Sequence, residues 1–363
     1  MVQVVYLQTF GGKRGDFMGH RIYQWASGTV GRHAAAEACR RDGLDLVGLH
    51  VRSADKIGKD VGELIGMPPL GIAATGDIQA ILDSDADLVI HAPLASLVYG
   101  DNEDQDIEDI CALLAGGKNV ITVVGYMYPK VHGPELVSRL EAACRAGGST
   151  FHSTGLNPGW MGDLLPLTMS AMSRNITSIT IREISNFQYY PSPEIMFDSM
   201  GFGSTLEVFE RDGARRRKWL NGLFAESIQL VADGIGLALD QIVDEMTLEG
   251  APADLETASG TVRAGTVAGQ RWQWSGQVAG EKRIIHETVW RMHETVAPDW
   301  PTGNHSIVID GEPRMYLEMA PEWISDGLLA TAMHAVNAIP YVCDAEPGIK
   351  TFLDLPWIFY KGG

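Results

Sequence analysis

Residues 21–31, RIYQWASGTVG, pass from a β-branched and aromatic run through a small-residue turn into an Ala-rich segment. Residues 21–25 read as a strand, and residues 30–41 (VGRHAAAEACRR) read as a helix that closes at Gly43. Strand, turn and helix in that order hold a dinucleotide. A helix start offers unpaired N–H groups and a positive dipole end to a pyrophosphate, so Ser27, Gly28, Thr29, Val30 and Gly31 form the expected cradle. Gly28 lets the backbone approach the ligand and Gly31 lets the helix pack on its strand. Ala26 stands where the first glycine of Gly-x-Gly-x-x-Gly usually falls.

Residues 44–51 (LDLVGLHV) follow at the distance of the second strand of a βαβ unit, and the end of that strand meets the adenosine ribose. An acidic residue there accepts the 2′-hydroxyl of NAD. This chain instead presents Arg52, Ser53 and Lys56, with Asp55 among them. Charge-assisted hydrogen bonds from these residues suit a 2′-phosphate, so the expected cofactor is NADP, with NAD as the alternative.

A chain of 363 residues exceeds one compact core. The expected division is an extension at residues 1–19, a dinucleotide-binding domain at 20–155, an α+β substrate and dimerisation domain at 156–323, and a helix and tail at 324–363 that return to the first domain. A net charge of -18 argues against nucleic acid, whose binding needs a concentrated basic patch. The one dense basic run, residues 215–218, reads as a solvated helix start. Four widely spaced cysteines suggest neither a disulfide framework nor a metal cluster. No apolar run has the length of a membrane span and no signal peptide is legible, so a cytoplasmic protein is expected.

From residue 21 to 154 apolar β runs alternate with helical patterns: helices at 77–84, 103–114 and 133–146, strands at 87–92, 119–124 and 149–154. This is the pattern of a Rossmann-type, doubly wound parallel sheet, and ligands bind at the carboxyl ends of such strands. Ala92, Pro93, Gly125, Asn157 and Pro158 lie in the loops expected there. Beyond residue 155 the pattern changes to period-two runs at 176–184, 262–277, 282–294 and 305–318 around a long amphipathic helix at 219–235. A mainly antiparallel sheet with one covering helix is expected, with Gly311 in a hairpin turn.

The segments QWASGTVGRHA (24–34), GKNVITV (117–123), TGLNPGW (154–160) and HAVNAIPYVCDAEPGIKTFLDLP (334–356) resemble the dihydrodipicolinate-reductase-like oxidoreductases, which include 2,4-diaminopentanoate dehydrogenase and the native amine dehydrogenases. The resemblance implies NAD(P)H-dependent hydride transfer at a carbon bonded to nitrogen, a homodimer, and a nicotinamide carboxamide held at Asn157. In the amine dehydrogenases a glutamate usually follows the strand that corresponds to residues 119–124. Here that place reads VVGYMYPK, with Gly125 and Tyr126, and no carboxylate precedes Glu135. The histidine-rich loop of true dihydrodipicolinate reductases is also missing from the sequence.

Two residues are candidates for handling the proton. Tyr126 follows the strand beside which the nicotinamide is expected, and Glu183 stands near the end of the alternating run ITSITIREI, where it could supply the missing carboxylate. Tyr128, Trp160, Phe187, Tyr189, Tyr190 and Phe202 are candidates for an apolar substrate pocket. In HETVWRMHE (286–294) the histidines are seven residues apart, which excludes a zinc-protease helix and leaves a strand with solvated histidines. The expected activity is imine reduction or reductive amination of a ketone with an apolar or aromatic substrate. The alternatives are reduction of a C=O or C=C bond with Tyr126 as proton donor, or a dinucleotide sensor without catalysis.

Overall fold

The computed structural model describes residues 19–323 and 326–360. The expectation for residues 1–19 falls, except for Gly19, outside the described residues. A six-stranded parallel sheet runs in the order Gly348–Lys350, Thr150–Ser153, Asn119–Thr122, Leu88–His91, His20–Trp25, Leu44–His50. Every residue of Leu88–His91 and Thr150–Ser153 is buried, because helices cover both faces. On one face Ala34 of helix Thr29–Arg40 and Ala332, Ala335 and Ile339 of helix Gly327–Cys343 pack against Ile22, Leu88, Ile90 and Ile121. On the other, Ile110 and Leu113 of Gln105–Ala115 and Leu140 of Pro134–Gly147 pack against Tyr23, Val89 and Phe151. The edge strand Gly348–Lys350 was not expected; three residues are too few to show an alternation.

The second sheet runs in the order Met315–Glu318, Ser306–Glu312, Arg174–Asn186, Glu281–Arg291, Val267–Val278, Gln241–Gly250. It is antiparallel except where Arg174–Asn186 runs beside Glu281–Arg291. Helix Ala214–Gly234 covers one face, with Phe224 stacked on Trp274 at 4.0 Å and Ile228 beside them in the core. The expected strand 262–277 begins only at Val267, since Leu255–Thr257 and Gly260–Val262 form a small separate hairpin. The run 305–318 is two strands that turn at Pro313, and Gly311 lies inside the first of them.

The helix starts at Ala214, so the basic run forms its first turn; Arg217 and Lys218 are exposed there as expected, whereas Arg216 is buried and Arg215 half-buried. Arg215 donates to the carbonyls of Ser96, Leu97 and Gly100, Arg216 lies over the Phe209 ring, and Lys218 pairs with Glu103. Arg215 and Lys218 tie the helix to the segment after strand Leu88–His91, a use to which arginine is suited because its guanidinium donates several bonds, while Arg217 pairs with Asp244 of the second sheet.

Candidate active site

The glycine turn follows strand His20–Trp25 directly. Ala26 adopts φ 74°, the left-handed region that normally selects glycine, which is why a glycine usually stands there. Helix Thr29–Arg40 has Gly28 as its N-cap and no side chain capping its first turn, so those N–H groups are open to a ligand. A Cβ on Gly28 would meet nothing within 4 Å, whereas one on Gly31 would lie 2.1 Å from the Ala26 carbonyl oxygen. These are the two properties that an anion cradle requires, an open face and a closely packed helix.

Gly31→Ala is therefore expected to push the helix off its strand, destabilise the protein by about 1–3 kcal/mol and weaken nucleotide binding at least tenfold. Titration of nucleotide fluorescence, with thermal melts beside it, tests this; an alanine variant that binds as tightly as the parent would remove Gly31 from the cradle.

At the ends of neighbouring strands, Lys56 Nζ lies 3.1 Å from Ser27 Oγ, and Ser53 is exposed. Arg52 is half exposed and pairs with Asp109 at 2.9 Å. Ala92 donates its N–H to the Trp25 carbonyl, and Pro93 follows at the rim.

The loop after Thr150–Ser153 carries Asn157 and a cis peptide to Pro158, with backbone outside helical geometry through Gly159. Asn157 Nδ2 donates to Glu183 Oε2 at 2.7 Å. Glu183 shares a strand face with Ile179 and Ile181, both in the core, so its carboxylate emerges at the end of that face, directed to the loop. Its other oxygen accepts from Trp290 Nε1 at 2.7 Å, and His305 Nε2 lies 3.9 Å from Oε2. The Glu183 side chain is 15% exposed. Burial pushes the His305 pKa down, against the opposing pull of Glu183, so His305 tends to the neutral form.

Gly125 and Tyr126 lie under helix Ala214–Gly234. A Cβ on Gly125, whose φ is 132°, would sit 3.0 Å from Leu223. A carboxylate does reach this loop, from the helix: Glu226, 1% exposed, accepts from the N–H of Tyr126 at 3.1 Å and of Tyr128 at 3.2 Å, and pairs with His132 Nε2. Tyr126 has φ 68° and packs beside the core cluster of Trp25 and Ile110. Burial first, then the acids Asp106, Glu226 and Asp104, raise its pKa well above the phenol value, so it holds its proton firmly.

A family model described as the 2,4-diaminopentanoate dehydrogenase C-terminal domain matches residues 160–359. The chain belongs to the 2,4-diaminopentanoate dehydrogenase family. A second model, the dihydrodipicolinate reductase N-terminus, matches residues 25–100, which contain the glycine turn. An amine dehydrogenase of Streptomyces virginiae is 30% identical over 350 residues, covering 92% of this chain and 95% of that protein. The 2,4-diaminopentanoate dehydrogenase of Acetoanaerobium sticklandii is 28% identical, covering 91% of each. The solved structure of an amine dehydrogenase from Mycobacterium smegmatis shares the fold, with a TM-score of 0.78 at 22% identity over 96% of this chain and 98% of that one. The protein is an NAD(P)-dependent oxidoreductase with a Rossmann-type sheet and a second, mainly antiparallel sheet.

In this dehydrogenase the six residues read as pocket walls separate. Phe187 lies 5.8 Å from Tyr190 and 6.3 Å from Phe202 between ring centroids. Phe202 is 1% exposed and belongs to the core rather than to an open wall, while Tyr189 is 79% exposed. Trp160 faces Trp323 at 5.6 Å. Tyr128 is buried and its hydroxyl donates to Asp233. Strand and turn geometry decides which of these rings face inward.

His286 is also not solvated: at 1% exposure it faces inward from strand Glu281–Arg291, beside Ser227 Oγ at 3.0 Å. Ser227 contacts Asp163 Oδ1 in turn. Burial, with a smaller push from Glu226, raises Asp163 to about 7, against Ser227 and the Gly159 N–H. Sequence reading missed Glu226, Ser227, Asp163, Trp290 and His305. The available signal was Glu226–Ser227 itself, an adjacent polar pair in LFAESIQLV, whose other residues except Gln229 are apolar.

Proposed function

We propose that this protein reduces an imine, or aminates a ketone reductively, with NADP(H) as cofactor and an apolar or aromatic substrate. The observation that carries the reading is Glu183, a carboxylate held by Asn157 and Trp290 at the loop expected to meet the nicotinamide. It supplies from the second sheet a carboxylate that the Gly125–Tyr126 loop does not carry in its own sequence, the Glu226 carboxylate there being buried on the Tyr126 and Tyr128 amides. Glu183 binds the ammonium form of the amine partner and takes its proton, and the Trp290 and Trp160 indoles give the adjoining walls an apolar character. The bound nicotinamide supplies or accepts the hydride. Ser27 to Gly31 hold the pyrophosphate, with Ala92, Pro93, Gly125, Asn157 and Pro158 around the remainder. Tyr126, half-buried and firmly protonated, has no proton role in this scheme.

The reading is tested by following NADPH and NADH oxidation against a ketone panel with and without ammonia. Turnover that requires ammonia supports it, and turnover indifferent to ammonia overturns it. NADP preference rests on Arg52, Ser53 and Lys56. Arg52→Ala is expected to raise KM for NADPH about tenfold, as for one lost charge-assisted bond, and to leave NADH nearly unchanged. Equal losses would overturn the assignment. A homodimer would form on the sheet face turned away from helix Ala214–Gly234, which carries Thr180, Arg182, Val308 and a Tyr316 that is 57% exposed. Sedimentation of a Tyr316→Glu variant as a monomer would support that face, and an unchanged mass would exclude Tyr316 from the interface.

A further inference from the structure

Glu226 and Ser227 are neighbours on helix Ala214–Gly234 and are 1% and 0% exposed. Consecutive helical residues point about 100° apart, so the two reach different loops. Glu226 holds the Tyr126 and Tyr128 amides and His132 in the loop after strand Asn119–Thr122. Ser227 meets the Gly162 carbonyl at 3.0 Å, Asp163 Oδ1, and His286 Nε2 at 3.0 Å. One helical step therefore joins both loops to the second sheet.

Gly162 shows how tightly this point is filled. A Cβ there would lie 2.8 Å from Asn157 Oδ1, 2.8 Å from Ser227 Oγ and 2.9 Å from His286 Cε1. Asn157 Oδ1 is buried without a hydrogen-bond partner, while Nδ2 of the same amide donates to Glu183. The amide is thus oriented on one side by Glu183 and on the other by the packing of Ser227 and His286.

Counting donors then favours one placement of the proton. Ser227 Oγ carries one hydrogen and meets three partners, one of which, the Gly162 carbonyl, can only accept and is also approached by His286. An ionised Asp163 leaves that one hydrogen shared between two acceptors, whereas each contact has its own hydrogen when Ser227 donates to Gly162 and receives from both His286 Nε2–H and a protonated Asp163. We propose that Glu226, Ser227, His286 and a neutral Asp163 are positioning residues that set the Tyr126 and Asn157 loops against Glu183. This deepens the amine-dehydrogenase reading and rests on it.

The titratable groups facing Asp163 are Glu226 on the helix and His286 on the strand; the remaining partners are Ser227 and the Gly159 N–H. Burial pushes His286 down to about 3, so it stays neutral from pH 5 to 9. Burial, then Glu226, places Asp163 at about 7, so its ionisation removes a donor from Ser227 within the working range.

The test uses the full chain and compares kcat at saturating substrate from pH 6 to 9. The parent is expected to lose activity as pH rises through about 7. Asp163→Asn, whose side-chain N–H replaces the acid proton, should be flat, while Ser227→Ala should be about tenfold slower throughout with nucleotide affinity kept. An Asn variant with the same alkaline fall, or a Ser227→Ala variant as fast as the parent, overturns the proposal. Infrared difference spectra provide the arm that does not need turnover. A protonated carboxylic acid band at pH 6 that Asp163→Asn removes supports the neutral acid, and its absence overturns it. An enzyme that shows the band, binds NADPH and turns over no amine or ketone refutes the reaction assigned above and leaves the neutral acid standing.

Discussion

Glu183→Gln is expected to lower ammonia-dependent turnover by about 10²–10³-fold while nucleotide binding stays near the parent value, because a general base of this kind contributes about that much. The substitution keeps side-chain length and volume but removes the charge that attracts ammonium and the lone pair that takes its proton. It also carries one acceptor oxygen where the carboxylate carries two. Either Asn157 Nδ2 or Trp290 Nε1 then loses its partner, at about 1–3 kcal/mol for a buried donor. Folding is checked by circular dichroism and melting, so that a loss of kcat with an intact fold assigns the effect to chemistry. Glu183→Asp tests position separately: it keeps the charge but withdraws it by one methylene from Asn157, and an intermediate kcat is expected. Full activity in the glutamine variant would remove Glu183 from proton transfer, and with it the observation on which amine chemistry rests.

The parallel sheet was legible because its strands are buried on both faces and so read as continuous apolar runs, and the glycine turn because its spacing is local. The strand face on which Glu183 lies was legible for a related reason. In ITSITIREI the inward positions Ile179 and Ile181 fix the phase of the strand, and position 183 continues that phase with a carboxylate. Glu226 and Ser227 were not, since a helical apolar stripe tolerates isolated polar residues at its edges and only tertiary contact shows that these two are in its centre. His286 failed in the opposite sense: the strand was recognised, but histidine was assigned to solvent although Ile284 and Trp290, in phase with it, both face the core. The basic run at 215–218 was treated as a matter of charge, whereas Arg215 and Arg216 are used for carbonyl bonds and ring contact. The common cause is that side-chain pairing across distant segments decides the fate of buried polar groups, and periodicity carries no information about pairing.

Asp163→Asn is expected to stabilise the protein, and by more at pH 8 than at pH 5. In the folded state burial, aided by Glu226, holds Asp163 at about 7, above the value of 3.8 for a free side chain. Between those two values the native state binds the proton and the unfolded chain does not, so stability falls as pH rises across that window and levels off above about 7. The penalty reaches roughly 4 kcal/mol at full ionisation, from 1.36 kcal/mol per pKa unit. Asparagine has no such equilibrium and still presents a donor to Ser227, so its stability should not follow this pH dependence. The difference between variant and parent should therefore widen by roughly 2–3 kcal/mol from pH 5 to pH 8, measured by denaturant unfolding at each pH. If Asp163 were ionised in the native state across this range, with Ser227 donating to it, its folded pKa would lie below 3.8 and the parent would gain its stability below about pH 5. Folded and unfolded chains would then bind the same protons from pH 5 to pH 8, and the difference between variant and parent would stay constant. The slope of this difference thus reports the proton inferred by counting donors at Ser227, in an experiment that requires neither substrate nor cofactor.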